Sequence, residues 1–350
     1  MAFPEYGGQI PGNPIVGTES AAYSTPTRGL PPLVPYRKSK EWGFCDAGKR
    51  LVVPAVFYEV HPFSEGLAAV RVSADKELES RWGLIDASGG FVVPPVYAQV
   101  GSCSNGLSVV TPDSLTEWDH CGPMVTLGSS GYVDVSGRLI IPVAFQAAES
   151  FSEGLAAVEI HGKWGYINTE GHVVIPAAYA FAGPFRGGLA PVCIHEKYCF
   201  IDAKGTVAIP PRYDVAREPF SEGLAPVKVD GKWGYVDCEG AQTPAVYDWA
   251  GPFHDGRVAV QVNGTQGYVD RKGELVLPAI YKSAGPFGDG LAPVEINGKC
   301  GYIDESGRLV LPVVYTWAHP FSEGIALVWT RRERSASGYI DAQGNRYWED

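Results

Sequence analysis

A phrase that returns every 34 residues constrains the fold of this chain more than any other feature. Each copy has a proline after a short apolar run, from Leu139-Ile140-Ile141-Pro142 to Leu309-Val310-Leu311-Pro312. The recurring prolines are Pro142, Pro176, Pro210, Pro244, Pro278 and Pro312. Self-similarity at a fixed period of this size is typical of stacked repeat arrays and propellers. The sequence therefore predicts an array of similar units, with a surface suited to binding and no single catalytic cleft.

Composition and charge limit the kinds of binding partner and the cellular location expected for this chain. The chain has 350 residues, is 45% apolar and carries a formal net charge of −11, which argues against a nucleic-acid or anionic-membrane partner. No apolar stretch approaches the roughly 20 residues that span a bilayer, and Met1–Tyr6 does not begin a secretory signal. The seven cysteines are odd in number and out of phase with the repeat, so we expect reduced thiols and cytoplasmic localisation.

Each repeat reads as three β-strands, which we name A, B and C. In one clean copy, strand A is Leu224–Val229 and strand B is Trp233–Asp237, and strand C is the proline phrase, as in Val276–Tyr281. Two-residue Asp-Gly or Asn-Gly turns join A to B, a strong hairpin signal because both turn residues need positive φ. An aspartate opens the B–C turn and a glycine closes it, which fits a type I turn followed by a left-handed residue.

Proline content excludes a helical repeat and predicts the strand order. Prolines and glycines recur in every unit, and no 3.6-residue apolar stripe is present. Proline cannot donate a hydrogen bond to a neighbouring strand, so it is confined to edges, strand starts and bulges. It recurs in strand C and often in strand A, but never in strand B. We therefore expect an all-β meander with B in the centre.

Nine copies of strand B can be counted, and they predict one domain over residues 30–350. The ninth unit ends early, at Asn345–Asp350, and residues 1–29 form an N-terminal extension with a faint echo of strand C. If this extension completed the last unit, the array would be a closed, propeller-like ring. An open twisted β-solenoid is the alternative, since nine units exceed the usual four to eight blades.

The repeated phrases resemble those of bacterial WG repeats, also called KWG repeats. The resemblance rests on Lys163-Trp164-Gly165-Tyr166-Ile167 and Lys232-Trp233-Gly234-Tyr235-Val236, together with the Val-Ile-Pro and Phe-Ser-Glu-Gly phrases, and covers about residues 30–344. It implies a β-rich repeat protein and supplies no catalytic residues to carry over. Five of the nine copies lack the tryptophan, and the fifth reads Tyr198-Cys199-Phe200.

An acidic residue recurs at one point of the repeat and offers a candidate site. It follows the Phe-Ser phrase or its equivalent at Glu65, Glu153, Glu222, Asp255, Asp289 and Glu323. In a ring or solenoid these residues would form an acidic rim whose potential attracts a cation or a basic peptide. The simpler interpretation is that each carboxylate accepts hydrogen bonds from turn amides. The aspartates that end strand B are interpreted as turn-formers on the same grounds.

Three longer A–B connections give the most direct indication of a partner-binding surface. They run over Ser73–Arg81, Thr111–Ser130 and Arg331–Ser337, and all three replace the same turn, so they project from one edge. The candidate partner-binding residues are Trp118, Asp119, His120, Arg331, Arg332 and Trp317. The lone Asp119-His120-Cys121 run lacks a second ligand pair at zinc-like spacing, so we expect no metal and no cofactor.

These observations favour a non-enzymatic protein-binding or scaffolding module. A carbohydrate-binding protein is the alternative, and it would require exposed tryptophans outside the repeat pattern to be grouped into pockets; the candidates are Trp118, Trp249, Trp317 and Trp329. In-phase aromatic residues are expected to fill the core instead. An enzyme with a site in a central channel is the third reading, and the sequence supplies no nucleophile elbow or phosphate loop for it.

Overall fold

The computed structural model describes residues 30–72, 80–112, 116–119, 122–125, 130–331 and 336–349, with the backbone alone for 116–119 and 122–125. The described residues form β-strands and turns without an α-helix. They therefore contain no helix that could cross a membrane. The all-β prediction is confirmed.

Strands A and B pair as an antiparallel hairpin in each of nine units, numbered 1 to 9 along the chain. From unit 1 to unit 9, the A strands are β1 (Val34–Lys38), β5 (Ala68–Val72), β8 (Leu107–Pro112), β14 (Leu155–Ile160), β18 (Leu189–Ile194), β21 (Leu224–Val229), β24 (Arg257–Val262), β28 (Leu291–Ile296) and β32 (Ile325–Trp329). The B strands are β2 (Glu41–Cys45), β6 (Arg81–Ile85), β11 (Ser130–Asp134), β15 (Lys163–Asn168), β19 (Lys197–Asp202), β22 (Lys232–Asp237), β25 (Thr265–Asp270), β29 (Lys299–Asp304) and β33 (Ser337–Asp341).

Strand C pairs with the far side of B, and a short strand pairs with the far side of A. The C strands are β3 (Leu51–Phe57), β7 (Phe91–Val100), β12 (Leu139–Phe145), β16 (Val173–Tyr179), β20 (Val207–Tyr213), β26 (Leu275–Tyr281) and β30 (Leu309–Tyr315). The short strands are β4 (Glu59–Val60), β13 (Ala147–Ala148), β17 (Phe181–Ala182), β23 (Trp249–Ala250), β27 (Ser283–Ala284) and β31 (Trp317–Ala318). Three further strands are β9 (Thr116–Asp119), β10 (Gly122–Val125) and β34 (Trp348–Glu349).

The sheet order places strand B between A and C, as proline placement predicted. Unit 4, for example, has the order short strand, A, B, C, that is β13-β14-β15-β16. In unit 2, strand C continues directly into the segment that pairs with strand A of unit 3, so β7 belongs to both. Neighbouring units are therefore linked through the end of strand C.

The glycine of the Trp-Gly phrase is required by a bulge in strand C. In unit 4, Trp164 pairs with Tyr179 and Tyr166 with Ile175, so two steps along B match four along C. The extra residues of strand C lie against Gly165, where an added Cβ would sit 2.6 Å from the carbonyl oxygen of Ile175. In unit 4 a side chain at this position would meet the crossing backbone, whereas unit 5 accommodates Cys199 there.

The turns have the predicted chemistry. Asp230 and Gly231 have φ of 48° and 81°, as a type I′ hairpin requires. In the B–C turns, one carboxylate oxygen of the aspartate accepts N–H bonds from residues two and four positions later, as Asp304 does from Ser306 and Arg308 at 3.0 Å each. These bonds, together with the Ser306 hydroxyl, lower the pKa of Asp304 despite its partial burial.

The apolar core is divided among the boundaries between units. Buried residues form eight clusters, and each cluster joins neighbouring units; one contains Tyr166 of unit 4 with Phe185 and Val192 of unit 5. Small three- or four-stranded sheets have little apolar area of their own, so each unit is stabilised by its neighbours.

An aromatic pair with a hydrogen bond repeats at these boundaries. The ring of Tyr166 lies 4.8 Å, centroid to centroid, from Phe185 of the next unit, and its hydroxyl donates to the Gly183 carbonyl at 2.8 Å. The same pairing occurs at Tyr132–Phe151, Tyr235–Phe253, Tyr268–Phe287 and Tyr302–Phe321. The in-phase tyrosines and phenylalanines of these pairs are thus core residues, as expected.

The ninth unit contacts the first, so the array closes. Tyr347 donates its N–H to the Tyr339 carbonyl of unit 9, and Trp348–Glu349 then pairs in parallel with Arg37–Lys38 of unit 1. Buried residues of units 9, 1 and 2 share one cluster. Residues 1–29, which would have closed the array if they completed the last unit, lie outside the described part of the chain; the backbone pairing with unit 1 is made by residues 347–349. We call the boundary between units 9 and 1 the seam.

Candidate functional site

The two edges of the array have different chemistry. One edge, which we call the hairpin edge, carries the A–B turns and the three longer connections. The opposite edge carries the B–C turns and the predicted acidic rim, because strand A begins there and strand B ends there. Any ligand that contacts several units from one side therefore meets either loops of variable length or a regular acidic series.

A cavity of about 420 Å³ opens at the seam. It is bounded by residues from three consecutive units of the ring, 9, 1 and 2. Its walls are aromatic and aliphatic, with charged groups among them; they are formed by Arg37, Lys40, Trp42, Tyr58, Glu59, Val60, His61, Leu327, Trp329, Ser337 and Tyr339. A concave, mostly apolar site with a few polar groups is the usual form of a binding pocket. Its size lies within the usual range.

Comparing equivalent positions shows why the cavity walls differ from the other boundaries. In each unit, one residue of strand A has a partner on either side. On one side it pairs with the strand B residue that precedes the glycine of the Trp-Gly phrase, and on the other side with a residue of the short strand, or of β34 in unit 1. We call these three positions the variable row. At units 9, 1 and 2 the row reads Trp317–Trp329–Ser337, Trp348–Arg37–Trp42 and Glu59–Arg71–Trp82. At units 4, 5, 7 and 8 it reads Ala147–Glu159–Trp164, Phe181–Cys193–Tyr198, Trp249–Gln261–Gln266 and Ser283–Glu295–Cys300.

Arginine and tryptophan are therefore concentrated in the variable rows of units 9, 1 and 2. Arg37 is only 2% exposed, and its guanidinium crosses the seam: Nε donates to the Ser337 carbonyl at 2.7 Å and Nη1 donates to the Ser39 carbonyl. The charge is therefore held in place by backbone oxygens and lines the cavity.

Unit 2 contributes a carboxylate, Glu59, to the cavity wall, and an arginine next to the wall pairs with it. Arg71 pairs with Glu59 at 3.5 Å, and its guanidinium lies 5.3 Å from the centre of the Tyr58 ring and 6.0 Å from that of Trp82. The ring of His61 lies 4.9 Å from Trp82. Burial lowers the pKa of His61, partly opposed by Glu59, so this imidazole is neutral at pH 7.

Two tryptophans outside the repeat pattern extend the surface beyond the cavity on the unit 9 side. Trp317 is 58% exposed and pairs directly with Trp329, which lines the cavity. The ring of His319 lies 5.2 Å from Trp329 and 6.5 Å from Trp317. An exposed tryptophan beside an aromatic pocket is a typical anchor for a ligand.

The predicted partner-binding residues fall in different places. Trp317 lies beside the seam, and the carbonyl of the exposed Arg331 accepts a hydrogen bond from Thr316 at 3.0 Å, which places this backbone next to Trp317. Trp118 and Asp119 lie on β9, which pairs with β10, and their side chains lie outside the described part, as do His120 and Arg332. Whether these residues bind a partner stays a prediction.

Most residues of the predicted acidic rim bind the next unit. Glu65 accepts N–H bonds from Asn105 and Gly106 at 3.0 and 2.8 Å, and Glu153 does the same for Gly187 and Gly188 at 2.8 and 2.9 Å. Glu222 and Asp289 accept from Gly256 and Gly324. Asp255 and Glu323 have no hydrogen-bond partner among the described residues and border a shallow cavity between units 7 and 9. The structural interpretation therefore holds for four of the six carboxylates.

The described cysteines are free thiols. Cys45, Cys103, Cys193 and Cys199 are buried, and Cys238 and Cys300 are partly buried. Burial, with neighbouring carboxylates for the first two, raises the pKa of Cys45, Cys103 and Cys199 to about 11, so these thiols stay protonated at neutral pH. Over the described ranges, no group of three or more His, Cys, Asp or Glu side chains is arranged to hold a metal ion.

Sequence reasoning identified Trp317 and Trp329 as unusual but missed the cavity. Arg37, Trp42 and Glu59 were not among the predicted site residues. Aligning the nine units column by column would have shown tryptophan or arginine at the middle position of the variable row in units 9, 1 and 2 only. It would not have shown that units 9 and 1 are neighbours.

Comparison with solved structures agrees with the fold. A structure described as that of the eukaryotic initiation factor is similar with a TM-score of 0.62 at 13% identity, over 90% of this chain and 94% of the other. Apo AztD from Citrobacter koseri (TM-score 0.41, 12% identity, 90% and 92% covered) and Hsv2 from Kluyvelomyces marxianus (TM-score 0.39, 10% identity, 64% and 85% covered) are less similar. None of the curated proteins matches the sequence.

The class of protein is thus an all-β tandem repeat protein with a closed, propeller-like arrangement of small antiparallel sheets. Its repeats match the WG containing repeat at residues 42–73, 82–111, 131–164, 164–198, 200–233, 243–265, 267–300 and 301–328. The chain belongs to this family, as the Trp-Gly and proline phrases indicated.

Proposed function

We propose that this protein is a non-enzymatic protein-binding or scaffolding module whose partner contacts the hairpin edge at the seam. The observation that carries the proposal is the concentration of departures from the repeat at one place. The aromatic cavity, the exposed Trp317 and two of the three longer A–B connections all belong to units 9, 1 and 2. Repeat proteins bind partners on the face where their loops vary, and anchors of this kind are typically aromatic.

Two exposed tryptophans at equivalent positions provide a matched test. Trp317 and Trp249 are each the first residue of a short strand, and they are 58% and 38% exposed. We expect the proteins captured by the immobilised wild type to be lost on Trp317→Ala and retained on Trp249→Ala. Equal retention or equal loss by the two variants would contradict a site at the seam. A variant lacking residues 112–129 then tests whether the unit 3 connection contributes.

Carbohydrate binding is the second candidate, because it requires exposed tryptophans outside the repeat pattern beside a pocket, and part of this requirement is met. Trp317 and Trp329 lie outside the repeat pattern, pair with each other and adjoin a pocket with hydrogen-bonding groups. Sugar rings stack on such surfaces. Glycan-array binding that disappears on Trp317→Ala but survives Trp249→Ala would favour this function over the first. That the protein is not an enzyme and that it is cytoplasmic stay predictions from the sequence.

A further inference from the structure

We propose that the seam cavity binds an acidic peptide segment of the partner, with one aromatic or aliphatic side chain of that segment inserted between the aromatic walls. This inference rests on the proposed protein-binding function and specifies the chemistry of its ligand. It combines the charge around the cavity mouth with the character of the cavity walls.

The surroundings of the cavity are basic in a protein that is acidic overall. The chain carries a formal charge of −11, yet the described residues at the hairpin edge of units 9, 1 and 2 include more cations than carboxylates. The described cations are Lys38, Lys40, Arg71, Arg81 and Arg331, in addition to the buried Arg37, and the described carboxylates are Glu41, Glu59 and Glu349. Local charge opposite to that of the whole molecule directs an anionic ligand to this place and away from the acidic edge.

The charged groups of the wall favour carboxylates over a cationic side chain. The single carboxylate that lines the cavity, Glu59, is paired with Arg71 at 3.5 Å. The guanidinium of Arg37 and the ammonium of Lys40 leave the cavity positive, and His61 contributes no negative charge. A lysine or arginine inserted among the rings would meet this positive potential, whereas an acidic segment would be attracted by it.

The apolar walls favour a ligand that has an apolar group in addition to its negative charge. Trp42 and Tyr339 face each other at 6.0 Å in an edge-to-face arrangement, and Trp329, Leu327 and Val60 complete the lining. Burial of one aromatic or aliphatic side chain there supplies most of the binding free energy, while surrounding charges contribute selectivity and association rate. An acidic segment with a single apolar anchor meets both demands.

The probes are fluorescein-labelled synthetic peptides of about twelve residues, the length of a short recognition segment. They carry a central Phe flanked by Asp and Glu, by Ser or by Lys, and one acidic peptide has Ala in place of Phe. Fluorescence polarisation with the full-length protein measures affinity. We expect the acidic Phe peptide to bind at least roughly tenfold more tightly than the Ser-flanked and Ala peptides, with affinity falling as salt is raised, and the Lys-flanked peptide not to bind.

Variants assign the binding to the cavity. Lys40→Glu should weaken the acidic Phe peptide by roughly tenfold, while Lys204→Glu, the same charge change at an exposed B–C turn on the opposite edge, should have no effect. Trp329→Gln should weaken the Phe peptide and leave the Ala peptide unchanged. This variant copies Gln261, which occupies the same strand position beside Trp249 in unit 7, so the strand tolerates the residue.

The outcomes separate this inference from the proposed function. If seam-dependent capture of a partner is lost on Trp317→Ala but no acidic peptide binds, the protein-binding function stands and the acidic chemistry is wrong. Equal binding by wild type and Lys40→Glu, or preference for Lys-flanked peptides, also overturns it. Binding of polygalacturonate with the same variant profile, in the absence of peptide binding, would reassign the cavity to an acidic carbohydrate and overturn both.

Discussion

The boundary between units 4 and 5 and the seam between units 9 and 1 are closed by different contacts. At the regular boundary, Tyr166 packs on Phe185, Ser152 donates to the Phe185 carbonyl at 2.7 Å, and Glu153 accepts from the two glycine amides that follow. Unit 1 has no Phe-Ser-Glu-Gly phrase before its strand A. At the seam, Arg37, Tyr347 and β34 make contacts that occur at no other described boundary.

This difference teaches where a repeat protein can acquire a binding site. The regular boundaries repeat one set of contacts, and the residues that make them serve packing. At the seam, closure depends on a few unrepeated residues, and the variable row is occupied by tryptophan and arginine. Four predictions test this contrast, the first directed at the seam and the others at the regular contacts.

Removal of the last residues should have the largest effect. A chain that ends at Asn345 loses the fully buried Tyr347 and the packing of Trp348 over Gly338. We expect about 3–5 kcal/mol of destabilisation, by analogy with truncation of large buried side chains, seen as a lower urea midpoint. Tryptophan fluorescence should change early in the transition, because Trp42 lines the seam. Glu349→Ala, which keeps the backbone pairing, is the control; similar midpoints for both variants would refute closure by these residues.

The regular units should resist a side chain at the Trp-Gly glycine. Gly165→Ala places a Cβ 2.6 Å from the Ile175 oxygen and 2.7 Å from the Ala177 nitrogen, so we expect a loss of about 2–3 kcal/mol. Unit 5 has Cys199 at this position, fully buried, and Cys199→Gly should cost about 1–2 kcal/mol through lost burial and added backbone freedom. A smaller loss for Gly165→Ala than for Cys199→Gly, measured by urea unfolding, would be evidence against the steric explanation.

The tyrosine hydroxyl at regular boundaries should contribute less. Tyr166→Phe leaves the ring in place but removes the donor to the Gly183 carbonyl, a change worth about 1 kcal/mol. Phe200 occupies the equivalent position in unit 5, so the variant is expected to fold. Tyr58→Phe, at a partly exposed residue, should be nearly neutral. Equal urea midpoints for wild type and Tyr166→Phe would show that water replaces the hydroxyl there.

The carboxylate contact between units should give the smallest effect and a pH signature. The amide of Gly106, chiefly, lowers the pKa of Glu65 below its ordinary 4.5. The stabilisation is therefore present above that value and is lost as pH falls through the lower folded pKa. Because Glu65 is exposed, Glu65→Gln should cost only about 0.5 kcal/mol at pH 7. Thermal melts of the two proteins should converge at acidic pH. Glu323→Gln, at a rim carboxylate with no hydrogen-bond partner among the described residues, should leave the melting temperature at pH 7 unchanged, and an equal loss in both variants would refute the assignment.

Local rules predicted the unit well. Proline positions gave strand order, because a missing N–H acts at a single residue, and Asp-Gly and Asn-Gly pairs gave the hairpins for the same reason. The Trp-Gly glycine was recognised as a motif without its cause, since a bulge in strand C appears only when B and C are paired. The division of the core into clusters was missed because periodicity does not show how far apolar contacts extend beyond a boundary.

The contacts at the seam could not be predicted from the sequence. Pairing of Arg37 with Trp348 joins residues 311 positions apart and follows no period. Trp317 was singled out because it breaks the repeat, which is a local signal. Arg37, Trp42 and Glu59 keep to their strands, and their grouping with Trp329 follows only from closure. Site prediction therefore failed where it required knowledge of which units become neighbours.

The parallel pairing of β34 with β1 has a consequence for biosynthesis. Among the described segments, strand β1 is the first to be translated and its partner, Trp348–Glu349, is the last. Until Trp348–Glu349 is made, β1 lacks the pairing that this strand provides, and unpaired strand edges recruit other polypeptides. A chaperone that binds this edge would have to dissociate before β34 pairs with β1.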